Sequence, residues 1–219
     1  MINLMMLQIR NFIIVTSFII AFFSCSNHEL KPANYVQWVE DPKNGLNTEK
    51  KIGDLVFSIQ YKPTDYIVLQ QSQKPIIDSS DYYRIKHDIE GLLYFNFSIS
   101  NTDNSKSPLY YKINSAEEFQ YRISYFSFEI SNDIHLVYNN DTFPCLLHHF
   151  ERTYDLMPKV NIVLGFEKPE NFIENEIEQD LQFVYSDKIF GVGRTQLIID
   201  KKHIKEIPKL KISTYAAEN

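Results

Sequence analysis

Positive charge, glycine, cysteine and long apolar runs are all in short supply in this chain. Lys and Arg number 22 against 28 Asp and Glu among 219 residues. A nucleic-acid partner needs a basic stripe to neutralise phosphates, so that class of function is excluded. Six glycines leave little room for phosphate-cradling loops. Gly191-Val192-Gly193 lacks the third glycine and the opening helix of a dinucleotide fingerprint, and Arg194-Thr195-Gln196-Leu197-Ile198 after it reads as strand. A turn or bulge explains the pair better. No Gly-x-Ser-x-Gly elbow is present, and Cys145 after Pro144 lacks the surroundings of a cysteine hydrolase, which weighs against a hydrolase of a familiar kind. The 28 acidic residues make many chance carboxylate pairs, but none is singled out for glycoside hydrolysis. No repeat recurs at a fixed period.

Aromatic residues are plentiful, with 14 Tyr and 16 Phe, which favours packed strands over disorder. One apolar run also stands out, Phe12 to Phe23, preceded by Arg10 and followed by Ser24 and Cys25. These are the three parts of a secretory signal peptide. Twelve helical residues span roughly 18 Å against a hydrocarbon core of ~30 Å, so a permanent transmembrane helix is the weaker reading. Arg10 is the only charge in residues 1–24, so removing them lowers the 22 basic residues to 21 against 28 acidic, a net of −7.

Phe22-Phe23-Ser24-Cys25 resembles the lipobox of bacterial lipoproteins. In that family a diacylglyceryl group is attached to the cysteine thiol and the chain is cut just ahead of it. The match departs from the commonest pattern, which has Leu where Phe22 stands and a small residue where Phe23 stands. The resemblance implies that Cys25 is lipidated and that the protein is anchored in the cell envelope. Each buried methylene adds about 0.8 kcal/mol, and the two or more chains of a processed lipoprotein make the anchor effectively permanent. Ser26 after the cysteine favours the outer membrane, by resemblance to known sorting rules. Cys145 is then the only remaining thiol, no intramolecular disulfide can form, and stability must come from the core. A buried Cys145 is the expectation.

Residues 1–24 are thus expected to be a helical signal segment, 25–31 a lipidated tether and 32–219 one globular domain, long enough to bury a sizeable core. Pro32 at a first turn, with Tyr35, Trp38 and Val39 at helical spacing, predicts a helix over 32–40. Asn44-Gly45 is a turn, and Ile52 to Tyr61 alternates as a strand with Leu55, Phe57, Ile59 and Tyr61 on one face. The run Tyr35-Val36-Gln37-Trp38-Val39-Glu40, then Asn44-Gly45-Leu46, Lys51-Ile52-Gly53 and Gln60-Tyr61-Lys62-Pro63, resembles the start of uncharacterised lipoproteins of the Bacteroidota. That resemblance carries no functional residue with it.

Thr64 or Asp65 can cap one helical turn through Leu69, and Asp78 to Ile89 predicts a helix with Tyr82, Ile85 and Ile89 along one face. Leu92 to Ser100 alternates as a strand. Ser115-Ala116-Glu117-Glu118 is a capping box opening a helix to about Tyr125. Strands are expected over 126–130, 134–138, 142–151, 160–166, 181–185 and 195–199, with Asn139-Asn140-Asp141 as a hairpin turn and an edge strand within 207–212. Glu170, Glu174, Glu176, Glu178 and Asp180 read as a solvated segment. This pattern predicts an α+β domain built on antiparallel sheets, specifically a β-sandwich with a few short helices.

The densest set of ligand-type side chains is Cys145, His148, His149 and Glu151, with His135 on the partner strand. Strand alternation puts Cys145, His149 and Glu151 on one face and His148 on the other, so a zinc site would need His135 or a loop. The spacing matches no closed zinc motif, and no cofactor is expected. Tyr82-Tyr83, Tyr110-Tyr111, Tyr121 and Tyr125 are expected to line the core and its rim; the alternative is that they stack on sugar rings or anchor a protein. The expected role is a non-catalytic envelope lipoprotein that binds or scaffolds another envelope component, with an envelope protein or a glycan as the expected partner. The alternatives are a glycan-binding lipoprotein of an uptake system and an enzyme with an unrecognised site.

Overall fold

The computed structural model describes residues 29–72, 74, 76–152 and 157–212. The predicted leader and the lipidation candidate Cys25 lie outside the described residues, as do 213–219. Among the described residues no helix is long and apolar enough to cross a membrane.

Alternation builds the centre of the molecule. In β3 (Leu55–Lys62) and β4 (Leu92–Asn101) every second residue is buried. β3 pairs antiparallel with β4, setting Phe57 opposite Ile99 and Tyr61 opposite Phe95. β4 continues onto β7 (Lys159–Glu167), with Phe97 opposite Ile162. Around this centre lie β2 (Asn47–Ile52), β5 (Ile134–Tyr138), β6 (Asp141–Phe150), β8 (Leu181–Ser186) and β9 (Arg194–Ile199). They form one antiparallel sheet in the order β2-β3-β4-β7-β6-β5-β8-β9. Its edge strands β2 and β9 curl back into contact, so the sheet is nearly a barrel. The interior is filled by rings: Phe97 lies 4.9 Å from Phe183 and 5.3 Å from Tyr185, and Phe95 5.5 Å from Phe166, between centroids.

The fold is therefore α+β and antiparallel, as the sequence predicts, but the sandwich expectation is not met. β6 is the reason. Its first half pairs with β5 and its second half with β7, and the register shifts between Cys145 and Leu147. A proline within the strand and a bulge beside it mark the change of partner, so that one strand belongs to both halves of a continuous sheet.

The helices sit outside the curl. α1 (Pro32–Glu40) buries Tyr35 and Val39. α2 (Thr64–Ser72) runs beyond the single predicted turn, and its Tyr66, Ile67, Val68 and Leu69 are all buried. Asp78 caps α3 (Ser79–Ile89) by accepting from Asp81 N. Ser115 caps α4 (Ala116–Ser124) by accepting from Glu118 N, while the Glu118 carboxylate takes the Asn114 N–H at 3.0 Å. α5 (Lys201–Lys205) was not anticipated; its His203 ring occupies the space a side chain at Gly45 would need, and Gly45 has φ +73°.

The strand expected over 126–130 is a correction. Tyr125–Glu129 is a π-turn continuing α4, followed by a 3-10 turn over Ile130–Asp133. Phe126 and Ile130 are buried four apart, at helical spacing, whereas Phe128 between them is 75% exposed. The strand expected from Ile52 is also divided: β2 ends there, and Gly53-Asp54 turns the chain into β3. Asn139 and Asn140 both have positive φ, as the tight turn between β5 and β6 requires. Glu29–Leu30, within the expected tether, forms β1 and pairs in parallel with β10 (Lys209–Leu210).

Candidate functional site

A cleft of about 230 Å³ opens where β3 ends and β4 begins. Strand alternation turns Tyr61 inward, α2 brings Asp65, α3 brings Tyr82 and Lys86, and a 3-10 turn over Glu174–Glu176 brings Glu174. Tyr61 donates its hydroxyl hydrogen to Glu174 Oε1 at 2.7 Å. Tyr82 donates to Asp65 Oδ1 at 2.6 Å, and Lys86 Nζ donates to Tyr82 Oη at 2.8 Å and to Asp65 Oδ1 at 3.3 Å. Glu90, Lys168 and Asn175 complete the polar wall, with Leu93, Phe172 and Ile173 as apolar wall.

Burial dominates the electrostatics. It pushes the Glu174 carboxyl above the ordinary range, against the opposing effect of the Tyr61 hydrogen bond. It also raises Tyr61 far above the usual phenol value, with Glu174 adding to the effect, and lifts Tyr82 to about 12 with help from Asp65. Burial works against the charge on Lys86, but its bonds to Tyr82 and Asp65 outweigh it and raise its pKa. Both phenols therefore stay protonated at neutral pH and act as donors.

Glu174 corrects the expectation of a fully solvated acidic segment. Its neighbours Phe172 and Ile177 are 3% and 1% exposed and pin the segment to the barrel end. Those two apolar residues within an acidic run were the signal available in the sequence. Because the folded state holds a proton on Glu174 more tightly than the unfolded chain does, this group's contribution to stability falls as pH rises from the ordinary carboxylate range through its folded pKa. Glu174→Gln keeps an acceptor for Tyr61 and removes the buried charge. It should raise the melting temperature by a few degrees at pH 7 and leave it unchanged near about pH 3, where an ordinary glutamate is already protonated. Melting curves at both pH values check this; a lower melting temperature at pH 7 would show that the charge is stabilising.

The ligand-type side chains Cys145, His149, Glu151 and His135 are not brought together, and the β6 bulge separates Cys145 from His149. Cys145 pairs with inward-facing Phe166 and His148 with inward-facing Leu164, whereas His149 pairs with Val163 on the outer face. The bulge thus separates Cys145 from His149 and puts His148 on the same face as Cys145, the reverse of the expected arrangement. His148 Nε2 lies 3.0 Å from the Ser127 carbonyl, Glu151 accepts from Asn161 Nδ2, and His135 faces Pro144 across β5 and β6. Among the described residues no three His, Cys, Asp or Glu side chains come together for a metal. The Cys145 thiol is half-buried, and burial raises its pKa to about 11.

The tyrosine candidates divide. Tyr82 is buried in the cleft network, while its neighbour Tyr83 is 64% exposed. Tyr110 stacks on Phe119 with centroids 4.8 Å apart, and Tyr111 packs edge-on against Phe190. Tyr110 also lines a second cleft of about 360 Å³ at the opposite end of the barrel, with Phe119, Ile123, Phe150 and Glu151. Arg152 lies on its rim, and the chain from there runs into residues 153–156, outside the described residues.

No family model matches the chain, and no curated protein matches it. Among solved structures, the crystal structure of a novel protein of unknown function from Burkholderia pseudomallei K96243 is similar at a TM-score of 0.37 and 10% identity. The likeness spans 83% of this chain and 95% of that one. At that level it says nothing about function.

Proposed function

We propose that the protein is a cell-envelope lipoprotein, held to the outer membrane by lipid on Cys25, whose domain binds or scaffolds another envelope component without chemically altering it. The address rests on the leader ending Phe22-Phe23-Ser24-Cys25. The observation that supports a surface binding role is the packed interior. With Phe57, Phe95, Phe97, Phe166 and Phe183 at 0–1% exposure, the curled sheet has no lumen for a ligand, so recognition falls to the outside. There, Phe128, Leu146 and Leu147 are 75%, 59% and 41% exposed, and the contact between His148 and Ser127 brings their two segments together. Apolar side chains of this size suit a protein partner. A glycan-binding role is the second reading, favoured by the cleft at the Glu174 end.

Cys25→Ser should move nearly all of the protein out of the membrane fraction or leave it as an unacylated precursor. Fractionation and mass spectrometry of the N-terminal peptide read this out. Normal membrane retention with an unmodified Cys25 would sink the address; in-cell cross-linking of the anchored protein should capture one recurrent envelope partner, and capture of none would count against the protein-binding role.

A further inference from the structure

We propose that the cleft between Tyr61, Asp65, Lys86, Lys168, Phe172 and Glu174 is a binding site for a single sugar residue, recognised through hydroxyl groups on one edge and an apolar ring face on the other. This deepens the glycan-binding reading and rests on it for the ligand's source, but the site itself stands on geometry.

Its size is the first constraint. About 230 Å³ falls below the roughly 300–1,000 Å³ of pockets that enclose drug-sized ligands, so the occupant is one ring rather than a chain. The chemistry of the walls is the second. Three carboxylate side chains, Asp65, Glu90 and Glu174, line the cleft together with two ammonium groups, Lys86 and Lys168, and the amide of Asn175. A simple anion meets three like charges, a simple cation meets two, and a hydrocarbon uses none of the donor and acceptor capacity these groups have left beyond their internal bonds. A polyol suits both kinds of group, because each hydroxyl donates to a carboxylate and accepts from an ammonium or amide.

The third constraint is the apolar side. Phe172 is held in place by Tyr61 and Tyr138, with centroids 6.4 and 5.7 Å away, and it and Leu93, 3% and 1% exposed, form the buried base of the cleft. Ile173, adjoining Phe172, is 49% exposed in the cleft wall. An apolar side chain left in water beside a charged cleft gains by being covered, and the C–H face of a sugar ring covers it while its hydroxyls reach the polar wall. The site is also prepared in advance. Lys86 and Tyr82 are already bonded to Asp65, and Tyr61 to Glu174, so little side-chain freedom is lost on binding.

The test is calorimetric titration of the full chain in detergent with methyl glycosides of a neutral hexose, an N-acetylhexosamine and a hexuronate, alongside methylammonium and acetate. At least one glycoside should bind while methylammonium and acetate do not, and Glu174→Gln and Lys168→Gln should each weaken that binding at least tenfold without lowering the melting temperature. Failure of every glycoside to bind would overturn the proposal. So would binding that both variants retain, or binding of methylammonium or acetate alone. Membrane retention through Cys25 is scored on the same preparation, so loss of the sugar site and loss of the envelope address are separate outcomes.

Discussion

Replacing Arg122 with methionine should lower the melting temperature by roughly 10 °C, from a loss of about 3 kcal/mol, because three backbone carbonyls lose the buried donor that satisfies them. Arg122 is 4% exposed. Its Nη1 donates to the carbonyls of Pro108, Leu109 and Tyr111 at 3.2, 3.3 and 2.7 Å, and its Nη2 donates to Glu118 at 2.7 Å. The guanidinium also lies 5.4 Å from the Phe190 ring centroid. One side chain therefore joins α4 to the loop after β4 and to the loop between β8 and β9. Lysine should rescue little, since a single ammonium cannot reproduce the planar fork. Thermal unfolding followed by circular dichroism reads the effect, and a drop of only a degree or two would mean that water replaces the lost donors at little cost.

Phe97→Ala should cost about 3–5 kcal/mol, the range for deleting a buried aromatic ring. Phe97 is fully buried and packs against Phe57, Phe183 and Tyr185, on strands from both halves of the curled sheet. The hole cannot close without drawing together strands that the ladder holds apart, so relaxation recovers little. Phe97→Leu keeps much of the volume and should cost distinctly less. Urea unfolding of both variants separates a cavity effect from loss of the ring's own contacts; equal losses would show that retained volume recovers nothing and that the cavity account is wrong.

Local order was largely legible. Pro32 with Tyr35 and Val39 marked α1, Ser115 with Glu118 marked the start of α4, and alternation in β3 and β4 showed which side chains turn inward. These signals lie within a few residues of one another. Where two local patterns overlapped, the shorter one misled: Phe126, Phe128 and Ile130 alternate like a strand, but tertiary packing selects the helical pair Phe126 and Ile130. α5 was missed because one turn carries little signal, though Asp200 accepts from Lys202 N and Ile204 is buried.

Closure of the sheet was not legible, because it depends on pairings between distant strands and on the change of partner at the bulge in β6. The same bulge undid the face assignment of Cys145 and His149, since one extra residue shifts every later side chain to the opposite face. The Glu174 cleft was hidden for a similar reason. Tyr61, Asp65, Lys86 and Glu174 come from four separate elements, and Glu174 alone, within its acidic neighbourhood, looked like any surface residue.

The parallel pairing of β1 with β10 has a mechanical consequence. A pull on the chain ahead of Glu29 first meets two residue pairs and the bond from Lys211 N to Leu30 O. Only behind them comes α1, locked into the core through Tyr35 and Val39. The ladder is a weak link in series with a strong one. Under tension it parts first and releases a short length of slack, while the barrel stays shut and the Glu174 cleft keeps its shape.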